Sequence, residues 1–238
     1  MSEPPCIWKT ENLSAGYGDE DVLSGVSISV QEGMVLVIIG QNGSGKSTFL
    51  RTLSGMLERR QGEIWLHQQK QLRIEPHRLA RKGVSFFIQG SLVIPELTVA
   101  EHLRLAGMQG GKKPWETNLD LVLKEFPQLK DLLLQRAGNL SGGERQVLSF
   151  AILLLQQTRC WLLDEPTAGL SPDLVGQTTA YLARKSREGI TMLLVEHNMD
   201  VAFALATHIV IAKGGCLTRM FPRTEFLRKD FLEEHLYS

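Results

Sequence analysis

The chain has 238 residues, and its 26 basic and 26 acidic side chains give a formal net charge of zero. This balance argues against a broad electrostatic surface for nucleic acid, so no nucleic-acid partner is expected. The three cysteines, Cys6, Cys160 and Cys216, are too few and too widely spaced for a disulfide framework, which favours a reducing compartment. The first twelve residues lack the features of a signal peptide, and the apolar runs are shorter than a membrane span. Work at a membrane would therefore require a partner that holds the chain there.

The apolar segments predict alternating strands and helices. Two early segments, ISVQEG (28–33) and GEIWLHQQ (62–69), alternate in polarity and end in turn residues, which predicts an antiparallel flank. A leucine-rich segment from about 91 to 139 lacks strand signals and predicts a helical insertion. Short branched apolar runs predict buried strands of a parallel sheet covered by helices on both faces, and they lie at 34–40, 160–165, 191–197 and 208–215. The sequence therefore predicts an α/β fold.

The first of these buried runs leads directly into a glycine-rich loop, GQNGSGKST. Apolar residues recur at helical spacing after it, so a helix is predicted to begin at about Lys46. The pattern G-x-x-x-x-G-K-[ST] between a strand and a helix is typical of a phosphate-binding P-loop. Lys46 would reach the β- and γ-phosphates, and the Ser47 hydroxyl would bind Mg²⁺. The predicted nucleotide contacts are Gly40, Gln41, Asn42, Gly43, Ser44, Gly45, Lys46, Ser47 and Thr48.

Two adjacent carboxylates end the predicted strand CWLLDE. Asp164 has the position expected of the carboxylate that holds the metal, together with Ser47, in a P-loop site. Glu165 is predicted to emerge at the carboxyl edge of the sheet, where it can polarise a water for attack on the γ-phosphate. An isolated Asp-Glu pair would more often be an ordinary strand-end turn, but the P-loop in the same chain favours the functional interpretation.

Three further polar or aromatic residues are candidates for the same site. His197 ends the strand TMLLVEH and could hydrogen-bond the γ-phosphate, although a lone histidine is usually structural. Gln89 ends the apolar run VSFFIQ and could ligate Mg²⁺ or respond to the γ-phosphate. Tyr17 could stack on a nucleobase. From the residues alone, the assignments of Gln89 and Tyr17 are weak, and an ordinary turn tyrosine is the better interpretation of Tyr17.

The segment LSGGERQ, residues 140–146, contains no obvious catalytic group, yet two glycines before a predicted helix carry an entropic cost that requires a reason. Together with the P-loop, Gln89, Asp164-Glu165 and His197, in this order, it resembles ATP-binding-cassette (ABC) ATPases from about Trp8 to the chain's end. The resemblance implies that two cassettes pack head to tail and that this signature contacts the partner's ATP. The residues implied to contact ATP in trans are Ser141, Gly142, Gly143 and Glu144.

The resemblance also implies roles for the other motifs. Tyr17 would stack on adenine, and Gln89 would link the metal site to the helical subdomain. Catalysis would rest on Glu165, His197 and Lys46. Mg²⁺ would be held by Ser47, Gln89 and Asp164.

The same resemblance implies a single nucleotide-binding domain over residues 1–238. Residues 1–90 and 146–238 would form the β flank, the P-loop core and the C-terminal tail, and residues 91–145 would form a helical subdomain that ends in the signature. The implied partners are a second ATPase subunit, membrane permease subunits and, indirectly, a solute-binding protein. The implied location is the cytoplasmic side of the inner membrane.

Longer phrases such as LDEPTAGLSPDL and VEHNMDVAFALA resemble ATPase subunits of branched-chain amino acid importers and of related urea and amide importers. The chain departs from the wider family pattern at Gln41, Ser171, Ile152 and Thr158. The unusually apolar helix around Ile152 is expected to pack against the sheet. A soluble single-cassette ATPase of assembly or regulation, such as one serving iron–sulfur cluster assembly, is the alternative.

Overall fold

A computed structural model of the chain describes residues 4–87, 93–109, 114–228 and 230–235. The strands are β1 (Cys6–Tyr17), β2 (Glu20–Gln31), β3 (Val35–Gly40), β4 (Arg59–Leu66), β5 (Gln69–Lys70), β6 (Val84–Phe87), β7 (Cys160–Asp164), β8 (Thr191–Val195), β9 (His208–Lys213), β10 (Cys216–Leu217) and β11 (Phe221–Pro222). The helices are α1 (Lys46–Leu53), α2 (Pro76–Leu79), α3 (Val99–Gln109), α4 (Trp115–Glu125), α5 (Gly142–Gln156), α6 (Pro172–Arg187), α7 (Met199–Leu205), α8 (Arg223–Phe226) and α9 (Phe231–His235). Short 3₁₀ turns span Ala80–Lys82, Pro127–Leu132 and Ala137–Asn139.

The larger sheet has the order β10-β9-β3-β8-β7-β6, with β11 paired to β9. The five neighbouring strands β9, β3, β8, β7 and β6 run parallel, whereas β10 and β11 join β9 in antiparallel pairs. The four predicted buried runs are β3, β7, β8 and β9, so the parallel sheet is confirmed. Because β3, β8 and β7 lie side by side, the residues that follow their carboxyl ends meet at one edge.

The antiparallel flank is confirmed as a second sheet with the order β2-β1-β4-β5. The segment 28–33 contains the end of the longer strand β2, the segment 62–69 overlaps β4 and the start of β5, and β1 was not predicted at all. The register of β1 shifts between Thr10 and Leu13, and Asn12 has a positive φ of 47°. These irregularities interrupt the simple alternation by which a strand is found in sequence.

Both faces of β3 are buried, as the unbroken apolar run predicts. Val35, Val37 and Ile39 pack with α5, α6 and the helical segment, whereas Leu36 and Ile38 pack with α1 and the antiparallel sheet. The P-loop strand therefore lies in the middle of the core, which holds the loop that follows it.

The segment between β6 and α5 is helical in its described part, with α3 and α4 and two 3₁₀ turns. Thr98 caps the start of α3, because its hydroxyl oxygen accepts a hydrogen bond from the Glu101 N–H at 3.2 Å, and Glu101 Oε2 in turn accepts from the Thr98 N–H at 2.7 Å. None of the helices in the described ranges is long and apolar enough to cross a membrane.

Packing explains two of the departures from the family pattern, Ile152 on α5 and Thr158 just after it. Ile152 is buried in the core that α5 forms with the sheet, as expected for its apolar helix. Thr158 is also buried, where its hydroxyl lies 2.7 Å from that of Ser85 and accepts a hydrogen bond from the Trp161 indole. A proline at this position could not make these contacts.

Candidate nucleotide site and signature helix

The glycine-rich loop between β3 and α1 has a backbone that larger residues could not adopt. A Cβ on Gly40 would lie 2.3 Å from the carbonyl oxygen of Ala212 on β9. Gly45 has a φ of 98°, and a Cβ there would lie 2.7 Å from Leu23 Cδ2. Helix α1 begins at Lys46, as predicted. The loop therefore curves into the amino end of a helix, a geometry suited to an anion.

The side chain of Lys46 is buried in this loop. Its ammonium donates hydrogen bonds to the carbonyl oxygens of Gly40 and Gln41, at 2.9 and 2.8 Å. Burial lowers the pKa of Lys46, and the carboxylates of Glu165 and Asp164 oppose that shift. A buried cation thus lies at the centre of the loop, with carboxylates near it.

Ser47 and Asp164 are joined across the sheet edge. The Ser47 hydroxyl donates to Asp164 Oδ1 at 2.8 Å, whereas Asp164 Oδ2 and Ser44 Oγ are buried and make no hydrogen bond within the described chain. Burial raises the pKa of Asp164, and the Ser47 hydrogen bond opposes this. A buried carboxylate oxygen beside a serine hydroxyl is the donor set that Mg²⁺ prefers.

Glu165 and His197 also meet at this edge. His197 Nε2 lies 2.9 Å from Glu165 Oε1, a distance at which the imidazole N–H donates to the carboxylate. Glu165 has a positive φ of 50°, which is strained for a residue with a side chain. The Glu165 N–H donates to the Val195 carbonyl at 3.0 Å, so the strained turn is anchored on β8.

The two remaining residues predicted to act on the nucleotide of the same chain are Tyr17 and Gln89. Tyr17, at the end of β1, is 46% exposed, and its hydroxyl accepts a hydrogen bond of 3.3 Å from Arg51 on α1. An exposed aromatic ring beside the last turn of α1 is compatible with stacking on a base. Gln89 lies outside the described residues.

The signature segment forms the amino end of α5. Ser141 Oγ accepts from the Glu144 N–H at 3.3 Å, and Glu144 Oε2 accepts from the Ser141 N–H at 2.7 Å. A Cβ on Gly142 would meet open space, whereas one on Gly143 would lie 2.5 Å from Leu174 Cδ1 on α6. The sequence interpretation, close approach to a phosphate, accounts for both glycines alike. The close approach of Leu174 favours a small residue at position 143 for a reason internal to the chain.

Two residues in contact with this site were not singled out in the sequence. Glu196, between β8 and His197, has a buried carboxylate that accepts hydrogen bonds from two loops. Gln146 on α5 donates to the carbonyl of Pro166, next to Glu165. A glutamate that directly follows a buried strand is the signal that could have identified Glu196.

Comparison with known proteins gives consistent matches. Residues 23–168 match the family model described as ABC transporter. The high-affinity branched-chain amino acid transport ATP-binding protein BraG of Pseudomonas aeruginosa is 35% identical over 86% of this chain and 88% of its own. The probable branched-chain amino acid transport ATP-binding protein LivF of Archaeoglobus fulgidus is 30% identical over 95% and 96%.

Solved structures agree with these relatives. A nucleotide-free ATP-binding cassette from an ABC transporter superposes with a TM-score of 0.81 at 28% identity, covering 98% of this chain and 96% of that one. An ADP-bound cassette of an ABC transporter also gives a TM-score of 0.81 at 28% identity, covering 97% and 96%. The relatives are transport proteins, so the alternative of a soluble assembly ATPase is not favoured.

Proposed function

The chain belongs to the ABC transporter family, as a subunit that binds and hydrolyses ATP, and from this we propose that it drives import of a small solute. The solute class that we propose is branched-chain amino acids or a related amide or urea. The names of BraG and LivF support this choice. The observation that carries the proposed chemistry is the meeting of Lys46, the Ser47–Asp164 pair and the Glu165–His197 pair at one sheet edge.

The P-loop would hold the phosphates in the same chain. Lys46 would exchange its two carbonyl partners for β- and γ-phosphate oxygens, and the loop N–H groups would bind the remaining charge. The unpartnered hydroxyl of Ser44 supports an acceptor near the loop. Tyr17 would stack on adenine through its exposed ring.

The donor set at the sheet edge fits Mg²⁺. Asp164 Oδ2 has no hydrogen-bond partner among the described residues, and the Ser47 hydroxyl lies beside the same carboxylate. Ser47 and Asp164 would hold the ion, and Gln89 is proposed as a third ligand from the sequence. The bound ion would supply charge neutralisation on the phosphates.

Glu165 and His197 would act on the attacking water and the γ-phosphate. The Glu165 carboxylate would orient the water or accept its proton, and His197 would hydrogen-bond the γ-phosphate. The Nε2–Oε1 distance of 2.9 Å supports a joint action, because the imidazole fixes the carboxylate in place.

The second half of each ATP site would come from another cassette. Ser141, Gly142, Gly143 and Glu144 would face the partner's γ-phosphate, with the amino end of α5 aimed at it. The exposure of Ser141 and Gly142 supports a role at an interface. A monomer would therefore bind ATP and hydrolyse it poorly.

The chain would work as one domain, with residues 91–145 as the helical subdomain and 1–90 with 146–238 as the core. The helical subdomain would contact a membrane permease on the cytoplasmic side of the inner membrane, with a solute-binding protein on the other side. Exposed apolar side chains on this segment support a docking role, and in its described part they are Ile94, Leu105, Met108, Leu121 and Leu134.

The test of the proposed chemistry is Glu165→Gln. We expect ATP binding to persist and turnover to fall about 10²- to 10⁴-fold, because the amide cannot accept the proton of water. A stable closed dimer in ATP should accumulate, measured by size-exclusion chromatography. Glu225→Gln, an exposed position paired with Arg219, is the matched control and should keep wild-type turnover. Wild-type turnover in Glu165→Gln would contradict the role.

The transport assignment has its own test. The full chain should copurify with permease subunits from membranes, and the solute that stimulates its ATPase in that complex identifies the substrate. Copurification with soluble proteins alone would contradict a transport role.

A further inference from the structure

Glu196 is a buried carboxylate with an unusual number of donors. The residue is 2% exposed. Its Oε2 accepts from the N–H groups of His197 and Asn198, at 2.9 and 3.1 Å. Its Oε1 accepts from the Thr167 N–H at 3.3 Å and from the Thr167 hydroxyl. Such a set of hydrogen bonds compensates the cost of burying the charge.

The donors belong to two different loops. His197 and Asn198 follow β8, and Thr167 lies two residues beyond Glu165 in the loop that follows β7. That loop is a compact turn, since the Ala168 N–H donates to the Glu165 carbonyl at 3.1 Å. A single carboxylate therefore holds together the two loops that carry Glu165 and His197.

The loop after β7 is also held by the signature helix. Gln146, on the first turns of α5, donates its side-chain amide to the carbonyl of Pro166. Pro166 lies between Glu165 and Thr167. One chain of contacts therefore runs from α5 through the turn at Thr167 and through Glu196 to His197.

We propose that Glu196 is a positioning residue that keeps Glu165 and His197 paired, and that Gln146 joins the signature helix to the same turn. This inference rests on the proposed roles of Glu165 and His197. Backbone N–H groups cannot reverse their polarity, so only an acceptor-only group satisfies His197, Asn198 and Thr167 together. A movement of α5 when a partner's nucleotide is bound would reach the Glu165–His197 pair through these contacts.

The first experiment is Glu196→Gln, which keeps size and removes one acceptor oxygen. We expect kcat for ATP in the full chain to fall roughly 10- to 100-fold, because a misplaced reactive group loses rate steeply. The KM for ATP should change less than about twofold, since Glu196 would not touch the nucleotide. Glu125→Gln is the matched control, because Glu125 is also mostly buried and pairs with Arg184 outside this network. It should keep wild-type kcat.

A double variant separates this inference from the proposed function. If Glu196 acts by keeping Glu165 and His197 paired, Glu165→Gln combined with Glu196→Gln should lose much less turnover than the product of the two separate losses. Independent, multiplying losses would overturn the inference and leave the role of Glu165 intact. Wild-type turnover in Glu165→Gln would instead overturn the proposed function.

Thr167 gives a test that avoids the buried charge. Thr167→Val removes the hydroxyl with little change of shape and should lower kcat, whereas Thr167→Ser keeps the hydroxyl and should restore most of it. Gln146→Met removes the donor to Pro166 and should also lower kcat with ATP binding preserved. Equal kcat in Thr167→Val and Thr167→Ser, or an unchanged kcat in Glu196→Gln, would overturn the proposal.

Discussion

The sheet edge that carries Asp164 and the amino end of α5 that carries Ser141 satisfy their polar groups in opposite ways. Asp164 is fully buried and keeps one carboxylate oxygen without a partner in the described chain. Ser141 is exposed, and its N–H and hydroxyl are both used in a capping box with Glu144. The sheet edge therefore keeps an unpaired carboxylate oxygen in the interior. The start of α5 has its polar groups hydrogen-bonded locally and faces outward.

This difference indicates what each region requires from outside. A buried carboxylate oxygen without a donor is costly unless a cation reaches it. A capped helix start is stable alone and gains only when an anion approaches its free end. Substitutions at the sheet edge should therefore lower activity without lowering stability. Substitutions at the start of α5 should change stability through local packing.

Within this comparison of the sheet edge with the start of α5, the largest effect is expected for Asp164→Asn. Turnover should fall about 10²- to 10³-fold, because a charged ligand that balances the transition state is lost. The unfolding midpoint should stay equal or rise, since burial disfavours the carboxylate that is removed and asparagine can still accept from Ser47. Thermal unfolding and ATPase assays measure both, with exposed Asp131→Asn as the control. A lower midpoint would contradict the view that this charge is strained.

The two signature glycines should differ in stability. Gly143→Ala should be less favourable than Gly142→Ala by roughly 1 kcal/mol, because its methyl would force Leu174 Cδ1 to shift. Gly142→Ala points into open space and should be neutral or stabilising by less than about 1 kcal/mol. Denaturant unfolding measures both. Leu174→Ala should relieve part of the cost of Gly143→Ala, and equal effects of the two alanines would remove the distinction.

A smaller effect is expected when the α5 cap is removed. Ser141→Ala should destabilise the chain by about 1 kcal/mol, because the Glu144 N–H loses its acceptor. Ser141→Asp keeps an acceptor and should keep the stability, yet its charge should oppose a partner's phosphate. Unfolding and dimeric ATPase assays separate these roles. Full turnover in Ser141→Asp would count against the contact in trans.

The smallest effect concerns pH. Burial raises the pKa of Asp164 above its ordinary 3.8, so without a cation beside it this carboxyl group keeps its proton to a higher pH than an ordinary aspartate does. Metal ligation needs the carboxylate, so the Mg²⁺-dependent part of ATP affinity should weaken as pH falls, and earlier than an ordinary aspartate would allow. Titrations of Mg²⁺-dependent ATP affinity toward lower pH should show a loss that Asp164→Asn lacks. Identical pH profiles for the wild type and Asp164→Asn would contradict this role of the Asp164 carboxylate.

Local patterns were sufficient to predict the parallel strands and the start of α1. The run before Gly40 is apolar at every position because both faces of β3 are covered, and Lys46 begins a helix because glycine ends the loop. The position of Asp164 at a strand end follows from the same reasoning. These features depend on residues that are close in sequence.

Other features depend on residues far apart in the chain. The close contact at Gly143 comes from Leu174, 31 positions later, and the burial of Glu196 is explained by Thr167, which lies 29 positions earlier. No periodicity within either segment reports such contacts. The first strand of the flank was missed because its register shifts interrupt the alternation.

The ammonium of Lys46 fills the curve of its own loop between the carbonyls of Gly40 and Gln41. These two hydrogen bonds stabilise the curved conformation of the loop without a nucleotide. In the proposed role of this loop, an arriving phosphate would exchange two hydrogen bonds and would not have to order a flexible segment, which would remove an entropic cost from binding. Each round of ATP binding would then start from a loop that already has the binding conformation.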